Sequence, residues 1–273
     1  VTKGDVERHV AGLIPPYEVD ILVPDHELAL EYNGLYWHSE ATSTDRMRHK
    51  RKVDSCASKG VRLIQVWEDD WAFRREAVKS LILNALNVQD EARCVARNAV
   101  VVDVAPKDAE NFLRKTHIQG FKRSTFHRGL LSMDGNVVAV MSVTSKGSGN
   151  FTIDRYFATH HVHSGFARLL DDLTKTIREQ GGGCVTSISD NSVPTGTLYE
   201  ECGFSLLEDI PVDYMYLYKG QRHSKFNFRK GRFADDPLLK YEGGLTESGL
   251  ASLNGLHRIW DSGKKKWEMV VCV

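Results

Sequence analysis

Two alternating apolar runs flank a four-residue polar turn between positions 18 and 34, and this stretch constrains the fold more than any other. Val19, Ile21 and Val23 alternate before the turn, Leu28, Leu30 and Tyr32 alternate after it, and Pro24-Asp25-His26-Glu27 lies between. Period-two apolar residues on both sides of a short turn predict a β-hairpin. Val23 then pairs with Leu28, and Asp20 lies opposite Glu31. Like charges facing each other across a ladder are destabilising, unless one is protonated or a cation sits between them. Asn33 shares a face with Glu31, because side chains repeat every two residues along a strand. His38 follows shortly after. Hard divalent cations take oxygen ligands of this kind. Two carboxylates, an amide and an imidazole around one point therefore predict a metal-dependent hydrolase rather than a binding surface.

The length of 273 residues favours two domains, and a hydrophobic fraction of 41% is ordinary for a globular chain. No apolar run is long enough to span a membrane, and no signal-peptide pattern is present. The five cysteines (56, 94, 184, 202 and 272) are scattered, with no CxxC pair. They predict neither a disulfide framework nor a zinc site, and a reducing cytoplasm fits them. A net charge of zero argues weakly against a nucleic-acid partner, but distribution matters more than the sum. Arg46, Arg48, Lys50, Arg51 and Lys52 form one basic cluster, and Arg222, Lys225, Arg229, Lys230 and Arg232 form another. Either alone is as readily a solvated helix face.

Val6, Val10, Leu13 and Ile14 fall at i, i+4, i+7 and i+8 and predict a helix over 5–14. After the hairpin, a helix capped by Thr44 or Asp45 runs to about 59 and stops at Gly60. Val61–Trp67 reads as a strand, and Glu68-Asp69-Asp70 opens a further helix to about Asn87. This α-β-β-α-β-α unit, residues 1–90, ends in the polar stretch 89–98. The next unit, 97–219, is predicted to contain strands at 99–104 and 151–157, a hairpin at 129–143 turning at Asp134-Gly135, and strands at 184–189 and 213–218. Helices are predicted over 106–115, 164–179 and 194–201. Residues 220–273 read as a less regular basic segment with a short helix near 246–253.

The first 88 residues resemble the PD-(D/E)XK nuclease superfamily, specifically its very-short-patch-repair (Vsr) branch, and the core of phage homing endonucleases carrying the EDxHD signature. The blocks carrying the resemblance are Val6-Glu7-Arg8, Val19-Asp20-Ile21, Asn33-Gly34-Leu35-Tyr36-Trp37-His38 and the run from Gly60 to Glu68. The resemblance implies that Asp20 bridges metal ions, with Glu31 as second acid and the Tyr32 carbonyl as a further ligand. His38 would be the general base, a role suited to an imidazole. His49 stands where the repair enzyme has an Asp beside its histidine, and Glu7 matches a helix-borne acid. Tyr36 and Trp37 match aromatics that wedge between base pairs. Asn33 replaces the superfamily's catalytic Lys, as in the Vsr branch. Singly, Tyr36 and Trp37 read as core aromatics, His49 as an interior histidine and Glu7 as a surface acid.

Residues 97–218 resemble the acyl-CoA N-acyltransferase (GNAT) fold, through Ser164-Gly165-Phe166-Ala167-Arg168-Leu169-Leu170 and Thr197-Leu198-Tyr199-Glu200-Glu201-Cys202-Gly203-Phe204. Such a turn cradles pyrophosphate with backbone N–H groups, but Val162 stands where the family has Arg or Gln. Gly165 and Gly203 also read as plain turn glycines, and Tyr199 as a core aromatic. The expectation is therefore an α/β protein with a Vsr-like nuclease core, a GNAT-like α+β unit reused for DNA recognition and a basic tail. It would cut double-stranded DNA at specific sites with Mg²⁺ or Mn²⁺, in the cytoplasm of a phage's bacterial host. Arg222, Lys225, Arg229, Lys230 and Arg232 would contact phosphates, and acyl-CoA would be an unlikely partner. The alternatives are a mismatch-directed nickase, or an acyl-CoA-dependent acyltransferase carrying a degenerate nuclease module.

Overall fold

The computed structural model describes residues 6–87, 94–159, 162–193 and 197–273. The chain starts with strands β1 (Glu7–Ile14), β2 (Tyr17–Val23) and β3 (Leu28–Asn33). Helix α1 (Arg48–Ala57), β4 (Arg62–Trp67), α2 (Glu68–Phe73) and α3 (Arg75–Ala85) follow. The four strands form one sheet in the order β1-β2-β3-β4. The hairpin pairs Val23 with Leu28 and Ile21 with Leu30, as its alternation predicts. β3 and β4 are parallel, which requires a crossover, and α1 supplies it. Cys56 of α1 packs into a cluster with Ile14, Val19, Ala29 and Leu63. Gly60 ends the crossover with a positive φ of 74°, a conformation glycine adopts without strain.

The helix predicted over 5–14 is a strand. Val10 and Ile14 alternate as well as they follow a helical stripe, and β2 lies a two-residue turn away. Arg8 pairs with Ile21 and Val10 with Val19, so the neighbouring strand supplies hydrogen bonds that a short isolated helix could not match. The helix predicted from Glu68 to Asn87 breaks at Arg74, whose φ of −136° is not helical.

The second unit contains β5 (Cys94–Val95), β6 (Val100–Asp103), α4 (Pro106–Thr116), β7 (Phe126–Leu131), β8 (Val137–Gly147) and β9 (Asn150–Ala158). Next come β10 (Val162–His163), α5 (Gly165–Glu179), β11 (Gly183–Asp190), α6 (Leu198–Glu201) and β12 (Ser205–Ile210). The chain ends with β13 (Tyr214–Tyr218), β14 (Gln221–Ser224), α7 (Lys230–Asp235), α8 (Glu247–Leu253), β15 (His257–Trp260) and β16 (Lys264–Val271). The strand and helix expectations for 99–193 are met. Of the helix predicted over 194–201, residues 194–196 lie outside the described residues.

A seven-stranded sheet runs in the order β12-β16-β11-β9-β8-β7-β6. The 15-residue α5 covers one face. Its stripe of Phe166, Leu169, Leu170, Leu173 and Ile177 meets Leu130, Met141, Ile153, Val185 and Trp267 in the largest apolar cluster. Each such side chain contributes about 1.5–3 kcal/mol on burial. The tail is more regular than its composition predicts. β16 lies between β11 and β12 although it begins Lys264-Lys265-Lys266, because Trp267 and Val271 supply the buried positions. β14, β13 and β15 form a separate three-stranded sheet.

Candidate functional site

Two arrangements gather chemically competent side chains. The first is on the N-terminal sheet. Asp20 sits one residue beyond the Ile21–Leu30 pair, and its Oδ2 accepts the Tyr32 N–H at 2.6 Å. Glu31 and Asn33 are buried on one face of β3. Lys52 of α1, also buried, forms an ion pair with Glu31. Asn33 Nδ2 donates to Gln65 Oε1 at 3.3 Å, and Gln65 Nε2 donates to the His49 carbonyl at 3.1 Å. The His38 and His49 rings are 5.0 Å apart and both lie against Trp67.

Burial pushes the Glu31 carboxyl up, against the pull of Lys52 and with some help from Asp20. Burial, reinforced by Arg48 and Lys52, holds His38 down to about 4. Burial, then His38, Arg48 and Lys52, holds His49 down to about 3. Both imidazoles are neutral at pH 7. Glu31 Oε2, Asn33 Oδ1, His38 Nδ1 and His49 Nδ1 are buried without a hydrogen-bond partner among the described residues.

Asp20 thus lies near Glu31 and His38 near His49, and Lys52 and Arg48 act on both pairs. Lys52 and Gln65 complete the group and were missed by the sequence reading. The available signal was spacing, since Lys52 falls at i+3 from His49 on the face of α1 that also buries Cys56. Glu7 stands exposed on β1 opposite Leu22. Tyr32, Tyr36 and Trp37 are exposed. Arg222 is turned inward, pairing with Asp69 at 2.9 Å and Asp70 at 2.5 Å and stacking on Trp67 at 4.5 Å. Lys225 pairs with Asp213, Arg229 with Glu247 and Arg232 with Asp236, while Lys230 is exposed at the start of α7.

The second arrangement is a cleft in the seven-stranded sheet. β9 and β11 run parallel, but their ladder extends only from Asn150↔Cys184 to Ile153↔Ser187. Both strands continue past that point, β9 to Ala158 and β11 to Asp190. The β8 ladder determines which backbone groups face the gap. Thr159 N–H donates to the Val138 carbonyl at 3.0 Å, and Ala158 and Tyr156 stand opposite Ala139 and Met141. Residues alternate between bonding their neighbour and pointing away from it, so the peptide groups of Ala158 and Tyr156 point toward the gap. The Ala158 carbonyl accepts from Asn84 Nδ2 at 3.2 Å. Among the described residues, Tyr156 has no ladder partner on that side.

A cavity of ≈ 180 Å³ occupies the gap, walled by both strands, His117, Tyr199 and two residues of α3, Ala77 and Leu81. A second cavity, of ≈ 220 Å³, shares Asp154, Arg155 and Asp190 with it and adds Lys122 and Lys264. The Tyr199 hydroxyl bonds to Ser187 Oγ at 2.9 Å, and its ring stacks on Trp267 at 5.1 Å. Burial raises the Tyr199 phenol above its ordinary value. His117 Nδ1 accepts the Gln119 N–H at 3.0 Å. Burial, then Arg155 and Arg74, holds its imidazole down to about 3, so it is neutral with its proton on Nε2. Burial works to raise the Asp154 carboxyl, but hydrogen bonds from Lys122, Thr144 and Ser124 outweigh it and hold the group low. Position 165, where α5 begins, leaves little room for a side chain, since a Cβ there would lie 2.7 Å from the Tyr156 hydroxyl and 3.1 Å from Val162 Cγ1. Arg168, in the first turn of α5, has a buried Nε without a partner among the described residues, while its Nη1 lies 3.8 Å from Asp171.

No protein-family model matches the chain, and no curated protein matches it. Several solved structures align with it. Nourseothricin acetyltransferase is 13% identical over 64% of this chain and 99% of that one, with a TM-score of 0.36. A GNAT-family acetyltransferase from Elizabethkingia anophelis, solved with acetyl-CoA bound, is 12% identical over 63% and 98%, with a TM-score of 0.37. The ribosomal-protein-S18-alanine N-acetyltransferase from Escherichia coli is 12% identical over 64% and 95%, with a TM-score of 0.38. The chain has a mixed α/β fold.

The expectation of a site-specific endonuclease is corrected here, and with it the hydrolase, homing and phage readings. The named structures are acetyltransferases rather than nucleases. Double-stranded DNA as partner falls with that reading, as does the expectation that acyl-CoA is an unlikely partner. Mg²⁺ or Mn²⁺ as cofactor is corrected for a local reason. Glu31 gives an oxygen to Lys52 and Asp20 gives one to the Tyr32 N–H. Among the described residues, no group of three or more His, Cys, Asp or Glu side chains is placed to hold a metal ion. No helix among the described residues is long and apolar enough to cross a membrane.

Proposed function

We propose that the protein transfers an acyl group from an acyl-CoA thioester, in the cleft where β9 and β11 part. The observation that carries this reading is the parting itself. It leaves the Tyr156 N–H and C=O without ladder partners beside a cavity. An extended amide-bearing arm can pair with such an edge as an added strand would. A donor fixed in place also serves a thioester oxygen as negative charge develops on it.

The chemistry assigns three further groups. An amine nitrogen attacks the thioester carbonyl carbon, the C–S bond breaks, and the departing thiolate needs a proton. Tyr199 can supply it, because its phenol stays protonated and can accept from Ser187 while donating into the cavity. Asp190 faces both cavities and is placed to receive the proton leaving the amine. His117 donates from Nε2 rather than acting as base. The turn into α5 offers backbone N–H groups to a pyrophosphate. Val162 adds no charge there; among the described residues Arg168, in the first turn of α5, adds one, with Asp171 3.8 Å from its Nη1.

Calorimetric titration with acetyl-CoA, followed by thiol release in the presence of a panel of primary amines, tests the reading. Binding is expected, and Tyr199→Phe is expected to keep it while slowing turnover by about 10²-fold or more. Neither binding nor thiol release with acetyl- or longer acyl-CoA would overturn the proposal.

A further inference from the structure

Helix α3 belongs to the N-terminal sheet, yet one of its stripes faces the cleft. Arg74 precedes the first turn of α3, and Ala77, Leu81 and Asn84 fall at i, i+4 and i+7, a single helical face. Both ends of the helix are bonded across to the other unit. Arg74 Nη1 donates to the Ile118 carbonyl at 2.8 Å, and Asn84 Nδ2 donates to the Ala158 carbonyl at 3.2 Å. Between them, Ala77 and Leu81 line the cavity. The adjacent face of α3 is held by its own sheet, with Val78 packed among Leu28, Ile64 and Val66 and Leu81 at the edge of that cluster.

Asn84 therefore occupies one of the backbone groups that the parting of the strands leaves open. Its amide stands where the next hydrogen bond of an arm lying along β9 would form, two residues beyond Tyr156. The cavity of ≈ 180 Å³ is also small, against roughly 300–1,000 Å³ for sites holding ligands of drug size.

We infer that α3 is a strap closing the cleft, so that the N-terminal unit controls entry of the acyl thioester arm. The inference rests on the acyl-transfer reading. Binding requires Asn84 to release Ala158 and α3 to move off the β9 edge, so the apparent affinity is reduced by the fraction of molecules in which the strap is open.

The test uses the chain in three forms, wild type, Asn84→Ala and Asn84→Asp. Alanine removes the donor, and aspartate sets a carboxylate against the Ala158 carbonyl oxygen. Acetyl-CoA affinity is read by calorimetry, and opening of α3 by amide hydrogen exchange over residues 75–85. The expected result is tighter binding in both variants, by about 2- to 10-fold from the loss of one hydrogen bond. Exchange in α3 should be faster in the free variants, and faster in wild type once acetyl-CoA is added. Binding by all three forms with equal affinity and unchanged exchange would overturn the strap and leave acyl transfer standing. Weaker binding in both variants would also overturn it, making α3 a wall of the site. If the Asn84→Asp form exchanges fast over 75–85 and still binds no acetyl-CoA, the acyl-transfer reading fails, and the strap fails with it.

Discussion

Lys52 and Glu31 are 3% and 5% exposed, so their ion pair lies out of reach of solvent screening. Removing one partner of such a pair leaves a buried charge and typically costs about 3–5 kcal/mol. Lys52→Met is therefore expected to lower the urea midpoint strongly at pH 7. Glu31 in this variant escapes the penalty by taking a proton. Burial already raises its folded pKa, so the deficit should shrink at acid pH and grow as pH rises through that value. A deficit independent of pH would show that Lys52 acts by packing alone. The imidazoles behave in the opposite sense. His38, His49 and His117 are held down to about 4, 3 and 3, from 6.5. Below about 6.5 the unfolded chain takes up protons that the folded chain refuses. Their contribution is thus complete above that pH and is lost as pH falls toward about 4 and then 3. The limiting slope is about 1.4 kcal/mol per pH unit for each fully linked histidine, and less for the partly solvated His38. Unfolding midpoints between pH 7 and 4 should show this decline, and His49→Gln should flatten it.

Among elements, β16 joins the two sides of the larger unit. Trp267 on this strand stacks on Tyr199 with an interplanar angle of 4° and donates to Ser189 at 2.9 Å. Trp267→Ala should cost about 3–5 kcal/mol and weaken acetyl-CoA binding by releasing Tyr199, both readable by denaturation and calorimetry. The turn between β8 and β9 has a different vulnerability. Gly149 has φ of 75°, and a Cβ there would collide with the Gly182 carbonyl. Gly149→Ala is expected to destabilise by about 1–3 kcal/mol, because the β9–β11 ladder begins at this contact. An unchanged melting temperature would show that the turn can shift freely. Elements whose signal is local were legible in the sequence. The β2–β3 hairpin, α5 and the Gly60 stop follow from alternation, a 3.6-residue stripe and a positive-φ glycine. β1 and β16 were not legible, because their partners decide them. The helical stripe of 5–14 yields to pairing with β2, and three successive lysines conceal a strand that only its place between β11 and β12 makes stable.

In the whole molecule, the N-terminal unit is tied to the rest of the chain at several points. Gln65 N–H donates to the Ser192 carbonyl, Glu40 N–H donates to the Arg258 carbonyl, and Arg222 reaches Asp69 and Asp70. Arg222→Ala would leave both buried carboxylates short of their main partner and is expected to cost about 3–5 kcal/mol in a chemical unfolding experiment. A loss below about 1 kcal/mol, typical of an exposed pair, would show that the two units are held together elsewhere. The sequence by itself determined the hairpin around Pro24–Glu27, the shared face of Glu31 and Asn33, and the strand–helix turn at Gly165. Each depends on spacing within one or two neighbouring elements. Tertiary structure alone decided that Lys52 neutralises Glu31, that Arg222 faces inward, that β9 and β11 part, and that α3 lies across the opening. These depend on contacts between residues far apart in the chain, where the energy of burial and pairing outweighs any local preference that a sequence pattern records.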